Sequence, residues 1–395
     1  MKRCVLVVLS VLFLVSVGFS PSWGRDTTYR IGGLFAVTGP AAWLGDPEKK
    51  ALELMGERIN KEGGINGHKV EAIIYDTQGD PQIAVLKARR LVTKDRVMAI
   101  IGTSRTPTSA AVMKALQLER SRSRFAVPMV SCAAGKILTS PVKPWLFTTP
   151  QTNALAVEKV LEYLSKTHRT KVGMLYVSNA FGEDGYANLK RLAPKYGVKV
   201  VGVETYGGGD RDMTAQLTKL ADRKPQAIIN WSVGPTSVVV TKNFKQLGLE
   251  KKGILLVMNH GQGNVKYIEL CGKAAEGVVL PAGKILATQS LSPGDPQAKV
   301  LKEFKELYEK TYREQVSPFA GHSYDGILLI KHAIEKGKVK PGDKEGLRKA
   351  LETYCDGVVG VDGVFHYGPT DHNGLSKEAM VMLKVRDGAF TLLAP

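Results

Sequence analysis

The chain carries little cysteine, a minority of acidic side chains and, past its first two dozen residues, no long apolar run. Of its four cysteines, Cys4 would depart with a cleaved leader and stands too early to be a lipidated cysteine. Cys132, Cys271 and Cys355 remain, an odd set that permits at most one disulfide and fits burial as small apolar side chains. No later segment approaches the roughly 20 apolar residues of a membrane-spanning helix. Asp and Glu total 37 against 55 Lys and Arg, a formal net charge of +18. The excess is spread over Lys49-Lys50, Arg89-Arg90, Arg120 through Arg124 and Lys251-Lys252. No basic helix is interleaved with aromatics, as a nucleic-acid surface would require. The charge therefore describes a solvated basic exterior whose field weakly favours anionic ligands.

Catalytic patterns are missing too. The glycine clusters form neither a P-loop nor a G-x-G-x-x-G turn opening a helix. Gly321 to Gly326, reading GHSYDG, lacks the G-x-S-x-G spacing and falls inside a helical pattern rather than on a strand-to-helix turn. His366 and His372 stand six apart with no cysteine or carboxylate at zinc-ligand spacing. Glu183-Asp184 is read as negative charge at a helix start, where it meets the dipole, rather than as an acid/base pair. No catalytic residue, metal or cofactor is expected.

What is present begins with a leader. Lys2 and Arg3 precede an apolar stretch over 5–17, and Ser22-Trp23-Gly24 offers a small-x-small cleavage site. Residues 1–24 are read as a secretory signal peptide cleaved near Gly24. The remaining chain of about 370 residues exceeds what one hydrophobic core usually supports, so two lobes are expected.

The stretch 29–81 sets the fold class. Ala51, Leu54, Met55 and Ile59 form one apolar helical stripe, while 70–75 is a short β-branched run of the kind covered on both faces of a parallel sheet. Gly63-Gly64 ends the helix, Asn66-Gly67 adds a turn, and Asp80-Pro81 is an N-cap followed by a helix-compatible proline. Strand-like runs recur at 29–36, 70–75, 97–101, 127–130, 172–177, 198–206, 227–231, 254–258 and 277–280. Helical stretches fall at 81–93, 107–119, 153–166, 185–196, 213–221 and 236–247, then at 297–313, 319–335 and 344–353. Two late strands are expected at 379–385 and 389–393. This is an α/β chain in two sets of β/α units, each a parallel sheet flanked by helices. Breaks near 145–152 and 281–296 divide it into a first lobe of 25–148 with 282–365 and a second of 149–281 with 366–395. Three crossings between the lobes would form the hinge.

The blocks IGGLFAVTGPAAWLGD, NKEGGINGHKV, YDTQGDPQIAV, IIGTSRTPTSAAV, VPMVSCAAGKILT, NAFGEDG, GNVKYIELCGKAAEGVV, SPFAGHSYDGILL and FHYGPTDHNG occur in that order. In order and spacing the chain resembles the periplasmic leucine/isoleucine/valine-binding proteins, solute receptors of branched-chain-type ABC importers, over essentially its whole mature length. The resemblance implies the type I periplasmic-binding fold, two lobes closing on one small ligand. It also implies a periplasmic location and ABC permease subunits in the inner membrane as partners. Some gene repressors share that fold behind a helix-turn-helix, whereas here the front is a leader.

Ligands of such sheets sit outside the carboxyl ends of strands, at helix N-termini that offer free N–H groups. Loops 38–46, 103–108, 131–136 and 178–184 occupy those places, the first two bringing Trp43, Leu44, Ser104 and Arg105 to the cleft. In the family, a hydroxyl residue after the third strand and backbone groups after the fourth hold the ligand carboxylate. The resemblance places these at Thr106, Ala133 and Gly135, the last standing where a threonine is usual. Amino-acid-binding members present a glutamate to the ligand ammonium, and its place here is taken by His260. The aromatic that accompanies it falls at Val233. An ammonium buried without an anionic acceptor costs several kcal/mol, so an α-amino acid is disfavoured. Arg105 suits a carboxylate, or faces solvent. Trp43, Phe181, Trp231 and Phe319 would favour an aromatic or bulky apolar ligand, or are ordinary core aromatics. The expected function is an exported receptor delivering a small, plausibly aromatic, organic carboxylate to an ABC permease. Branched-chain or other amino-acid binding, and a secreted sensor for a signalling partner, are the alternatives.

Overall fold

The computed structural model describes residues 27–393, and the expected signal peptide lies outside the described residues. Five parallel strands form the first sheet, in the order β2-β1-β3-β4-β5. They are β1 (Thr28–Phe35), β2 (Lys69–Asp76), β3 (Ala99–Gly102), β4 (Met129–Ser131) and β5 (Leu146–Thr148). Helices α1 (Ala42–Lys61), α2 (Pro81–Thr93) and α3 (Thr106–Leu116) connect the first four. The chain then enters a second sheet through α4 (Asn153–Lys166) and β6 (Lys171–Val177). It continues through α5 (Ala180–Leu192), β7 (Lys199–Tyr206), α6 (Thr214–Ala221), β8 (Ala227–Trp231), α7 (Pro235–Gln246), β9 (Leu255–Met258), α8 (Val265–Cys271) and β10 (Val279–Gly283). From there it returns to the first sheet as α9 (Ala298–Tyr312), α10 (Pro318–Gly337) and α11 (Lys344–Tyr354), with a small hairpin of β11 (Asp356–Val359) and β12 (Val364–His366). It ends on the second sheet as β13 (Met380–Arg386) and β14 (Ala389–Leu392). The chain thus passes between the sheets three times.

The expected alternation of strands and helices is present, and the departures have physical reasons. The second sheet runs β14-β13-β10-β9-β8-β6-β7, parallel over five strands, but β13 pairs antiparallel to β10 and β14 antiparallel to β13. The short link Asp387-Gly388 between β13 and β14 permits only a hairpin, not a crossover. The loop expected over 38–46 is shorter, because α1 already begins at Ala42. Helix α5 starts five residues before the expected 185. Asn179 caps it, its Oδ1 accepting from the N–H groups of Phe181 (3.0 Å) and Gly182 (3.2 Å). The Phe-Gly-Glu-Asp-Gly run looks like a turn in sequence. Its Gly182 is there because the helix start lies directly on the end of β6, and a Cβ would meet the Val177 carbonyl oxygen at 2.0 Å.

Successive strand residues feed opposite faces of each sheet, as the pleat requires. Ile101 and Val130 pack with Leu52, Met55, Phe304 and Ile330 under α1, α9 and α10, whereas Ile100 and Met129 pack with Leu91, Val112 and Met113 under α2 and α3. In the second sheet Leu175, Ile228 and Leu256 join Leu217, Phe244 and Tyr267, and Met174, Ile229 and Val257 join Val160 and Leu189. Each such side chain contributes roughly 1.5–3 kcal/mol on burial. The three described cysteines are free, so the one disulfide that the odd count permitted is absent among the described residues, and all three are buried, as small apolar side chains would be. Among the described residues no helix is long and apolar enough to cross a membrane.

The Gly182 contact makes a prediction. A methyl group there must push α5 off β6, so Gly182→Ala is expected to lower stability by about 1–3 kcal/mol. Urea denaturation of the variant measures this, and an unchanged midpoint would contradict so close an approach.

Candidate functional site

The carboxyl ends of β1, β3 and β4 face those of β6, β8 and β9, and a cavity with about 510 Å³ of empty space lies between them. From the first sheet and its helices come Leu44, Ser104, Arg105, Thr106, Ala133, Phe319 and His322, and from the second Asn179, Phe181, Val233 and His260. The lobes also touch each other directly. Asn264 Nδ2 donates to the Trp43 carbonyl at 3.0 Å, and the Lys136 N–H donates to Asp184 Oδ2 at 2.9 Å. Asp184, expected only as helix-start charge, is held for that contact by Asn153 Nδ2 (2.8 Å) and Asn188 Nδ2 (3.0 Å).

The first-lobe wall carries one cationic side chain and a helix start. Thr106 opens α3, whose first-turn N–H groups have no partners within the helix. Its Oγ1 is buried and unpartnered. Arg105, partly buried, donates a long hydrogen bond (3.4 Å) to the Gly79 carbonyl. Among the described residues it has no carboxylate within ion-pair reach. Desolvation lowers its pKa without removing its charge. Behind this wall Ser104 Oγ donates to Glu48 and accepts from the Ala36 N–H at 3.1 Å. Burial pushes the Glu48 carboxyl well above the usual carboxylate range.

The second-lobe wall holds no ionised group. Asn259 and Gln262 tie its loops together, donating to the Ser232 carbonyl at 2.7 and 2.6 Å, while Asn259 Oδ1 accepts from the Gly261 N–H at 2.7 Å. This fixes Val233 and His260 in place. His260 lines the cavity, its Nδ1 is buried without a partner, and Phe181 and Trp231 stand 5.9 and 6.0 Å away. Burial holds its pKa down at about 3, with His322 adding to the effect.

Nine of the residues singled out in the sequence meet at this cavity: Leu44, Ser104, Arg105, Thr106, Ala133, Phe181, Val233, His260 and Phe319. Three do not. Trp231 is fully buried behind the wall, its Nε1 donating to Asn153 Oδ1 at 3.2 Å, which is the core-aromatic alternative. Trp43 turns into a separate groove at the mouth of the cleft, beside Pro40, Pro235 and Leu270. Gly135 lies under Thr106, where a Cβ would fall 2.3 Å from Thr106 Cγ2, so a bare glycine is what leaves room for that threonine.

Sequence reasoning passed over His322, Cys132 and the carboxyls behind them. His322 Nδ1 lies 2.7 Å from Asp362 Oδ2, and Asp325 accepts from the N–H groups of Val361 (2.7 Å) and Asp362 (2.6 Å). Burial raises Asp325 and Asp362 well above the usual range and depresses His322 to about 3. A signal existed: Glu48 shares the helical stripe of Ala51, Met55 and Ile59, and an acid on a buried stripe marks a special environment. Ser323, the apparent nucleophile of GHSYDG, is fully buried inside α10. Among the described residues no cluster could hold a metal ion.

Two α/β lobes closing around one ligand-sized cavity define a solute-binding protein. A family model described as periplasmic binding protein matches residues 28–389, and the chain belongs to that family. A leucine-, isoleucine-, valine-, threonine- and alanine-binding protein of Pseudomonas aeruginosa is 25% identical over 346 residues, spanning 87% of each chain. An extracellular ligand-binding receptor from Rhodopseudomonas palustris HaA2 superposes with a TM-score of 0.82 at 28% identity, covering 93% of this chain and 100% of that one. A solute-binding protein of an ABC transporter from Rhodopseudomonas palustris BisB5, solved in complex with 3,4-dihydroxybenzoic acid, gives 0.76 at 25% identity, covering 93% and 96%.

The depressed His260 predicts a pH effect. The unfolded chain takes up a proton on this ring as pH falls below 6.5, the folded protein only near 3. The unfolded state thus binds more protons across that window, and stability falls on acidification. His260→Phe removes the term, so its loss of stability between about pH 7 and about pH 4.5 is expected to be smaller, by at most about 1.4 kcal/mol per pH unit. Parallel denaturant titrations of the two proteins test it, and equal losses would mean that His260 is solvated.

Proposed function

We propose that this protein is a non-catalytic extracytoplasmic receptor that captures a small organic carboxylate, aromatic in body and without an α-ammonium, for delivery to an ABC permease. One observation carries the reading: among the described residues lining the cavity, Arg105 is the one side chain that stays charged at neutral pH. An acid entering it meets the guanidinium, Thr106 Oγ1 and the α3 N-terminus, and an ammonium would meet no anion. Phe181, Phe319 and Val233 suit a flat apolar body between these walls. The 3,4-dihydroxybenzoic acid bound by the BisB5 protein is a ligand of this chemical kind. The name of the Pseudomonas relative favours a branched-chain amino acid instead. Against that stands His260, which burial holds neutral where an anionic acceptor is needed.

The lobes take part as units. We assign 25–148 with 282–365 to the first and 149–281 with 366–395 to the second, and residues 1–24 to an export signal removed near Gly24. Calorimetry should find benzoate-type acids binding wild type and leucine or valine binding weakly or not at all. His260→Glu places a negative charge against the ligand and is expected to weaken the acid by about ten- to a hundredfold, the scale of one charge-assisted hydrogen bond. Tight binding of leucine with no response to organic acids would return the protein to the amino-acid receptors. Saturating ligand is also expected to reduce the radius of gyration in small-angle scattering, because a ligand held by both lobes favours the compact state.

A further inference from the structure

We infer that His322 and His260, one from each lobe, together clasp a hydroxyl group of the ligand, so that the acid this receptor takes is a hydroxylated one. The inference rests on the carboxylate reading and adds to it what lies beyond the carboxylate. Both imidazoles line the cavity. His322 projects from α10 and is fixed on three sides. Asp362 Oδ2 holds its Nδ1 at 2.7 Å, Phe319 meets its ring edge to face at 5.5 Å, and its main-chain carbonyl accepts from Thr149 Oγ1 at 2.9 Å. A ring so oriented has Nε2 left for the cavity. His260 stands on the loop after β9 with Nδ1 buried and unpartnered, against the faces of Phe181 and Trp231. The two rings thus line one space from opposite walls, and His260 Nδ1 has no partner among the described residues.

The chemistry of that partner follows from what neutral imidazoles offer. Each carries one donor and one acceptor, and which nitrogen holds the hydrogen depends on its surroundings. An ammonium would need acceptors and a negative charge. A keto oxygen only accepts, and an apolar group leaves both nitrogens unpaired. A hydroxyl both donates and accepts, so it can bond at once a ring that offers its N–H and a ring that offers its lone pair. Because the two rings belong to different lobes, the same hydroxyl is fully bonded only when the lobes are closed around it. A buried site of this sort discriminates through its own unpaired atoms when the hydroxyl is missing.

Calorimetric titrations of the full mature protein with benzoate, 3-hydroxybenzoate, 4-hydroxybenzoate and 3,4-dihydroxybenzoate test the clasp, with 4-methylpentanoate and its 2-hydroxy derivative as an aliphatic pair. At least one hydroxylated acid is expected to bind wild type about tenfold or more tighter than its unsubstituted parent. In His322→Phe and in His260→Phe that preference should shrink to about twofold or less while the parent acid still binds. Should His322→Phe fail to fold, the wild-type comparison and His260→Phe decide alone. Equal binding of parent and hydroxylated acids by wild type, or a preference surviving in a folded variant, overturns the clasp and leaves the carboxylate reading standing. Binding of leucine with none of the six acids overturns both.

Discussion

A charged ligand shut between two lobes loses its water, and whatever replaces that water has to match its sign. Among the described residues that line this cleft, Arg105 is the one whose side chain stays charged at neutral pH. Arg105 is kept from other acids by its position at the start of α3, with only the Gly79 carbonyl beside its guanidinium. Around it the possible competitors are silenced by burial: Glu48, Asp325 and Asp362 are pushed toward their neutral forms, and His260 and His322 are kept from protonating. On the proposed reading, one formal charge among neutral donors and acceptors selects an anion, since no second cation strengthens every anion alike.

The fold supplies this environment by aiming strand ends at one another. Parallel strands put all their carboxyl ends on one edge of each sheet, and the crossings turn the two edges face to face. The two walls are then built differently. The first relies on helix starts and on a buried polar layer, in which Ser104 and Glu48, and His322 and Asp362, occupy one another. The second relies on side-chain amides: Asn259 and Gln262 bond the loop backbone so that Val233 and His260 have little freedom left. Rigid loops on both sides leave the opening and closing of the lobes to the three crossings.

Much of this was legible in the sequence, because local chemistry decides it. Asp80-Pro81 caps α2 as read, with Asp80 Oδ1 accepting from the Gln82 and Ile83 N–H groups, and Gly63 and Gly64 take positive φ values at the end of α1. Helix α5 was misplaced because Gly182 answers to a tertiary contact with Val177 rather than to helix propensity. In the site, the loops after strands were foreseeable and the direction of a side chain was not. Trp43 and Trp231 sit on the right segments and point elsewhere. His322 and Asp362 lie 40 residues apart and meet only because α10 packs beside the turn between β11 and β12. A helical sequence offers no hint of a partner at that distance. Family likeness located the loops, and only coordinates told which of their atoms were already engaged.

The contact between Asp184 and the Lys136 backbone N–H lies outside the cavity, yet it joins the two lobes. Its strength therefore enters the equilibrium between open and closed receptor before any ligand arrives. A receptor that spends a fraction of its time already closed shows an apparent affinity scaled by that fraction, whatever the ligand. Selectivity and gain are thus set in different places in this molecule. Cavity residues rank one ligand above another, while a carboxylate at the rim sets how readily the whole scale responds. Because the donor is a peptide N–H, that gain survives changes of the side chain at position 136 and depends on Asp184 and the two asparagines that hold it.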